Sequence, residues 1–305
     1  MISKHFIYTS LCFFFAAMTI NAQQIPDSKL ISLTERTQTS PEFIFRKFRE
    51  AGMNPTDHKL TDVERQKVNN ALSVLPPLHQ KILKEHLQSI SFMDNMPNTA
   101  LTSPVETSGS VKMFNITFRA EILNQTISEW ATWKENTCYI QSDGNEYQVV
   151  IDAGNLDAIV YVLLHESTHV VDAILNITPH PDDTDVLVAP IPFTAGIWRE
   201  FNKPKEEATN TLLETTRFRS GKPIAISTAP KVYEALKETP FVSLYSMASW
   251  YEDLAEILTI YHLTQKMNQP YKILVTKNGI VVSAYDPFNN SQVLKRKSML
   301  AMFYV

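Results

Sequence analysis

Apolar positions along the chain fall into distinct rhythms, and each rhythm predicts a different element. Residues 40–53 and 61–74 repeat them at helical spacing, so both read as amphipathic helices. Ser40-Pro41 supplies a start signal for the first, and Thr61-Asp62-Val63-Glu64 has the form of a capping box for the second. Pro76-Pro77 opens a third helix, running to about residue 88. Loop-forming residues then accumulate between 95 and 109, the best candidate for an internal boundary.

Beyond that stretch the period drops to two. Residues 113–118, Met-Phe-Asn-Ile-Thr-Phe, alternate as a strand does. Residues 138–141 and 146–151 flank Ser-Asp-Gly-Asn and read as a hairpin. Residues 156–175 are apolar nearly all round, the mark of a buried helix, with Asn155 as cap, Asp157 in the first turn and Pro179 beyond its end. A proline-punctuated loop at 176–203 leads to a moderately amphipathic helix at 204–218. A second strongly apolar helix covers 247–266. Lys277-Asn278-Gly279 turns a C-terminal hairpin, and a basic helix follows near 291–303. Helices and strands segregate rather than alternate, which predicts an α+β fold.

The start of the chain stands apart. Lys4 and His5 precede an apolar run over 6–20, and Asn21-Ala22 offers a small residue before Gln23. This is the layout of a signal peptide cleaved after Ala22, so the protein is expected to be exported, either secreted or periplasmic. The run is short for a membrane span, and no later segment reads as apolar enough to be one. Removing 22 of the 305 residues leaves enough chain for one large domain or two small ones. Net charge moves from −4 to −5 as Lys4 is lost, and no basic cluster points to nucleic acid. Cys138 is then the only cysteine, so no intrachain disulfide can form and the core must carry stability.

The chemistry concentrates at His165-Glu166-Ser167-Thr168-His169. On a helix, residues four apart lie on one face, so both imidazoles can reach a single ion. Glu166 projects about a quarter turn away, where a carboxylate can take a proton from activated water without being a ligand. The register alone also fits two ordinary helix histidines. A nearly all-apolar helix, however, is a costly place for two histidines and a glutamate unless something satisfies them. A strand-rich segment precedes this helix, where an extended peptide could pair. The extended metzincin motif is excluded, because it needs glycine at 172 and histidine at 175, where the chain has Asp172 and Leu175. Asp172 lies on the metal face but about one turn too far along to be a ligand. It reads either as an acceptor behind a ligand, a strut for the helix, or a plain helix-end carboxylate.

A third ligand must come from elsewhere, and Glu206, Glu207, Glu214, Glu252 and Glu256 compete for the role. The first three sit in a polar stretch and need no explanation. Glu252 and Glu256 share one face of the apolar 247–266 helix, where a carboxylate needs a partner. Cys138 has no base placed near it by sequence, and a small strand residue is the better reading. His180 and His262 read as bystanders, and Trp198, Trp250 and Tyr251 as core.

Two stretches resemble the gluzincin branch of zinc peptidases, most closely the catalytic domain of anthrax lethal factor and related secreted peptidases. They are His-Glu-Ser-Thr-His-Val-Val-Asp at 165–172 and Tyr-Ser-Met-Ala-Ser-Trp-Tyr-Glu-Asp-Leu-Ala-Glu at 245–256. The likeness covers these two helices and, loosely, the strands before them. Ser167 departs from the pattern, and the interval from His169 to Glu252 implies an insertion. The resemblance implies a zincin-like catalytic domain over 111–305, with a small sheet, an HExxH helix and a second ligand-bearing helix. Residues 23–110 would form an N-terminal helical region. It further implies one catalytic zinc on His165, His169 and Glu252, with Glu166 as base and Glu256 as acceptor behind a ligand histidine. Tyr245, seven residues before Glu252, would donate to the developing oxyanion. The expected substrate is a peptide or protein, hydrolysed by metal-activated water. The rival expectations are an exported zinc-binding scaffold without turnover and a zinc hydrolase acting on a non-peptide amide such as cell-wall material.

Overall fold

The computed structural model describes residues 32–105, 111–141, 144, 146–181 and 189–305. The expected leader, 1–22, lies outside the described residues, as do 142, 143 and 145 of the expected hairpin turn.

The described residues begin with a 3₁₀ turn (Leu33–Glu35), then helix α1 (Glu42–Glu50), a short strand β1 (Thr56–Asp57), and helices α2 (Asp62–Ser73) and α3 (Pro77–His86). Thr61 caps α2 as its sequence predicts, accepting from Glu64 N while Glu64 reaches back to Thr61 N. The far end of α3 is closed from a distance, because the Arg36 guanidinium donates to the carbonyls of Leu83, Lys84 and Leu87.

Strands β2 (Leu87–Asp94), β3 (Ala100–Val105) and β4 (Met113–Arg119) join β1 in one sheet of order β1-β2-β4-β3. Every residue of β4 is buried, including its polar alternation. Asn115 and Thr117 meet Ser89 and Ser91 of the parallel neighbour β2, at 2.6 and 2.9 Å. Period two therefore separates an apolar face from a buried polar seam rather than from water.

The expected boundary at 110 divides neither sheet nor core. β2 and β3 before it pair with β4 after it. Val68, Leu72 and Leu83 belong to the same core cluster as Val162 and Leu163. The stretch 23–110 also contains strands as well as helices.

Helix α4 (Ile127–Asn136), strands β5 (Tyr139–Ile140) and β6 (Tyr147–Asp152), and helix α5 (Ala158–Leu175) follow. Helix α5 begins after Asp157, not after Asn155, and the Asp157 carboxylate pairs with Lys67 at 2.8 Å. It ends on Asn176 in the left-handed conformation. Contrary to expectation, α5 is long and apolar enough by composition to cross a membrane, yet 72% of it is buried inside the fold, as a core helix is.

Residues 204–218 do not form the one helix expected. After β7 (Trp198–Glu200) and β8 (Lys203–Pro204), the chain makes a 3₁₀ turn at Glu206–Ala208 and the four-residue helices α6 (Thr211–Glu214) and α7 (Arg217–Ser220). Thr215 and Thr216 turn their hydroxyls back onto the Leu212 and Leu213 carbonyls, and such local bonds compete with helix propagation.

The chain closes with β9 (Ile224–Ala225), α8 (Ala229–Lys237), α9 (Trp250–Tyr261), β10 (Lys272–Lys277), β11 (Ile280–Tyr285) and α10 (Ser291–Leu294). A 3₁₀ stretch, Lys297–Tyr304, stands where a basic helix is expected. β10 and β11 form the expected hairpin, but β5 and β6 do not pair with each other. β6 runs antiparallel to β10, and β5 pairs in parallel with β9. The architecture is α+β, with α5 and α9 packed together at its centre.

Candidate metal centre

Two helices build the centre. On α5, His165 and His169 stand one turn apart, ring centroids 5.0 Å from each other and nearly perpendicular. On α9, Ser249 caps the first turn by accepting from Glu252 N, which fixes the turn from which Glu252 reaches the two histidines. His165 Nε2 lies 3.0 Å from Glu252 Oε2, and His169 Nε2 lies 3.7 Å from the same oxygen. All three ligand atoms lie within 4.8 Å of one another. Bonds of about 2 Å to one tetrahedral ion would set such atoms about 3.3 Å apart, and the two histidine–Glu252 separations fall on either side of that value. The group His165, His169 and Glu252 could hold a metal.

Glu256, one turn after Glu252, faces the other side of His165. Its Oε1 comes within 3.1 Å of His165 Nδ1, an ion-pair distance without hydrogen-bond alignment, so that buried nitrogen makes no hydrogen bond. Tyr161 donates to the same oxygen at 2.8 Å and Ser243 to Oε2 at 2.7 Å. Lys134 completes the set at 3.4 Å. Burial opposes the charged form, but Lys134, His165 and Ser243 hold Glu256 well below the usual carboxylate range. Burial alone would also lower the pKa of His165; Glu252 and Glu256 outweigh it and lift it to about 9.

Glu166 points towards β3, one of the two outer strands of the first sheet. Its Oε2 accepts from Thr102 Oγ1 of β3 at 2.7 Å. Tyr245 sits in the 3₁₀ turn Tyr245–Met247, its ring stacked 5.8 Å from that of His165. Burial, then the charges of Glu252, Glu166 and Glu256 and a hydrogen bond with Glu252, push its phenol well above the ordinary range. Phe218 packs on its ring edge-on at 4.8 Å.

Asp172 stands outside this group. Its oxygens accept from Thr178 N at 2.7 Å and Thr178 Oγ1, and His180 Nε2 lies 3.2 Å away. It ties the following loop to the end of α5 rather than buttressing a ligand histidine. Glu206 and Glu207 are exposed, and Glu214 bonds Thr209 and Arg219. His180 stacks on Tyr251, whose hydroxyl donates to Pro179 O. His262 lies at the other end of α9, between Val74 O and the Tyr304 hydroxyl. Burial pushes the Cys138 thiol up, which disfavours a nucleophilic thiolate. Trp198 donates from its indole to Asp253, and Trp250 is fully buried.

Several residues of the centre carry no sequence signal. Thr102, Lys134, Tyr161 and Ser243 belong to no spaced motif. Nor does His79 of α3, whose Nε2 lies 3.0 Å from Thr168 Oγ1 inside the motif. That hydroxyl already donates to Leu164 O, so His79 must be the donor, which fixes its tautomer and leaves Nδ1 buried and bare. Burial lowers its pKa to about 3, so it stays neutral behind the motif. Compared with known protein families, with curated proteins and with solved structures, the chain matches none.

Proposed function

We propose that the chain is an exported zinc-dependent metallopeptidase of the gluzincin type, with a zincin-like fold around the α5–α9 pair. One observation carries this reading: two imidazoles and a carboxylate from helices distant in sequence converge within 4.8 Å, with a spare glutamate and a tyrosine beside them. A zinc ion held there would supply Lewis acidity, making water easier to deprotonate and a carbonyl easier to attack.

The chain's own residues then divide the work. His165, His169 and Glu252 would hold the ion, and Glu256, at ion-pair distance from Nδ1, backs the His165 ring. Glu166, anchored by Thr102 rather than by the ligand set, accepts the proton from water and passes it to the departing amine. The Tyr245 hydroxyl donates to the oxyanion that develops on the carbonyl. β3 is an outer strand of its sheet and carries Thr102 beside Glu166. An extended peptide paired along it lies next to the base, which favours a peptide substrate.

Metal analysis combined with a peptide library tests the reading. One zinc per wild-type chain, lost in His169→Ala, and cleavage by wild type but not by Glu166→Gln are expected. A chain that takes up no zinc, or equal cleavage by Glu166→Gln, rejects it.

A further inference from the structure

Lys134 is a cation built into the back of the centre. It lies on α4, one helical turn after Trp130, whose ring centroid is 5.3 Å from its ammonium. Trp130 packs against Tyr161, centroids 5.1 Å apart, and Tyr161 in turn bonds Glu256. The ammonium thus lies beside an aromatic pair, and the lysine side chain is only 19% exposed. From that position Nζ also reaches two groups of the centre. It lies 3.4 Å from Glu256 Oε1, the oxygen that faces His165 Nδ1, and 3.6 Å from the centroid of the Tyr245 ring.

We propose that Lys134 is a positioning residue for this centre, seating Glu256 against His165 and the phenol ring of Tyr245 over the metal ligands with one ammonium group. This rests on the metal-centre reading above and adds to it a third helix, α4, that neither motif helix supplies. The physical case has two parts. Glu252 and Glu256 bring two carboxylates into a closely packed space, and a fixed cation offsets their repulsion, so that both can face one histidine. A cation on a ring face is also attracted to the ring's negative quadrupole, which pins the plane of Tyr245. The same cation draws electron density from the phenol, which makes its hydroxyl a stronger donor. Tyr161 and Ser243 still hold Glu256 without Lys134, so the lysine adjusts the centre rather than assembling it.

The test uses the full chain with Zn²⁺ and Co²⁺ as probes. Lys134→Met keeps the stem and removes the charge. Zinc affinity, measured by chelator competition, should fall about tenfold, the low end of effects for groups behind a ligand. The visible absorption of the Co²⁺ form should shift, while Lys134→Arg should recover most of both. In a Glu256→Gln background, where the partner charge is gone, Lys134→Met should change zinc affinity less than twofold. If Lys134→Met does not fold, Lys134→Gln is read in the same way. Wild-type zinc binding with Lys134→Met and Lys134→Gln unchanged in affinity and spectrum overturns the proposal alone. Equal losses in the wild-type and Glu256→Gln backgrounds also overturn it, since the lysine would then act only through packing. A wild-type chain that binds neither metal overturns the metal-centre reading, and this proposal with it.

Discussion

His165 Nε2 on α5 and Glu252 Oε2 on α9 stand 3.0 Å apart, although they are 87 positions apart in the chain. Burial would raise the Glu252 pKa, but the hydrogen bond from His165 and the charges of His169, His165 and Lys134 bring it down to about 2. With His165 lifted to about 9, the two form an ion pair across neutral pH in the metal-free chain. On the proposed metal-centre reading, a cation held by this pair would compete with the imidazolium proton.

Zinc uptake should therefore release protons and tighten as pH rises. Chelator competition between about pH 6 and about pH 9 reads this directly, and an affinity independent of pH would contradict it. The metal-free chain has the opposite preference. His165, its folded pKa raised, contributes stability that is full below its ordinary 6.5 and lost as pH rises through about 9. Glu252, its folded pKa depressed, contributes above its ordinary 4.5 and loses that as pH falls through about 2.

Glu166→Gln should keep fold and zinc while lowering turnover by about 10²–10⁴, because shape survives and proton acceptance does not. Thr102→Val should fall between the two, since it frees the carboxylate without removing it. A Glu166→Gln enzyme within about tenfold of wild type would make Glu166 structural.

Tyr245→Phe should lower kcat about 100-fold with KM and zinc content little changed, the signature of a donor used in the transition state. If the ring matters only for packing, kcat stays near normal and only melting temperature drops. The Tyr251 hydroxyl is already committed to Pro179 O, so it offers no ready substitute.

Glu135 supplies a prediction about stability alone. It is buried, its oxygen accepts from the Tyr233 hydroxyl, and burial lifts its pKa from 4.5 to about 7. A raised acid pKa means the folded chain binds the proton more tightly, so stability is present below pH 4.5 and lost as pH climbs through about 7. Glu135→Gln should match wild type near pH 5 and exceed it near pH 8, by up to about 3 kcal/mol. Parallel denaturant curves at the two pH values settle the sign, and a gain confined to the acid side would refute the assignment.

The helices α2, α3, α5 and α9 and the C-terminal hairpin were legible along the chain. Their signals are local: a cap three residues from its partner, a turn residue, an apolar repeat at the helical period. The register of His165, Glu166 and His169 belongs to the same class, because four residues on a helix set a fixed direction whatever packs against it. Strand partners were not legible. The runs at 139–140 and 147–152 sit either side of a turn signal, yet β6 takes β10 and β5 takes β9. Ladder bonds can be made with any extended segment, so the partner is chosen by tertiary packing rather than by the local run of residues.

The same reason divides the centre. By itself the sequence determined that two histidines share a helix face, and that Glu252 and Glu256 share another inside an apolar helix where charges need partners. Only the tertiary structure decided that Glu252 meets His165 and that Asp172 turns away to Thr178 and His180. It also brought Lys134, Tyr161 and Ser243 around Glu256. Those three come from different elements, with no common spacing, and each is an ordinary residue where it stands. A buried carboxylate collects its donors from whatever packing brings within reach, and that is a property of the folded core rather than of any local run of residues.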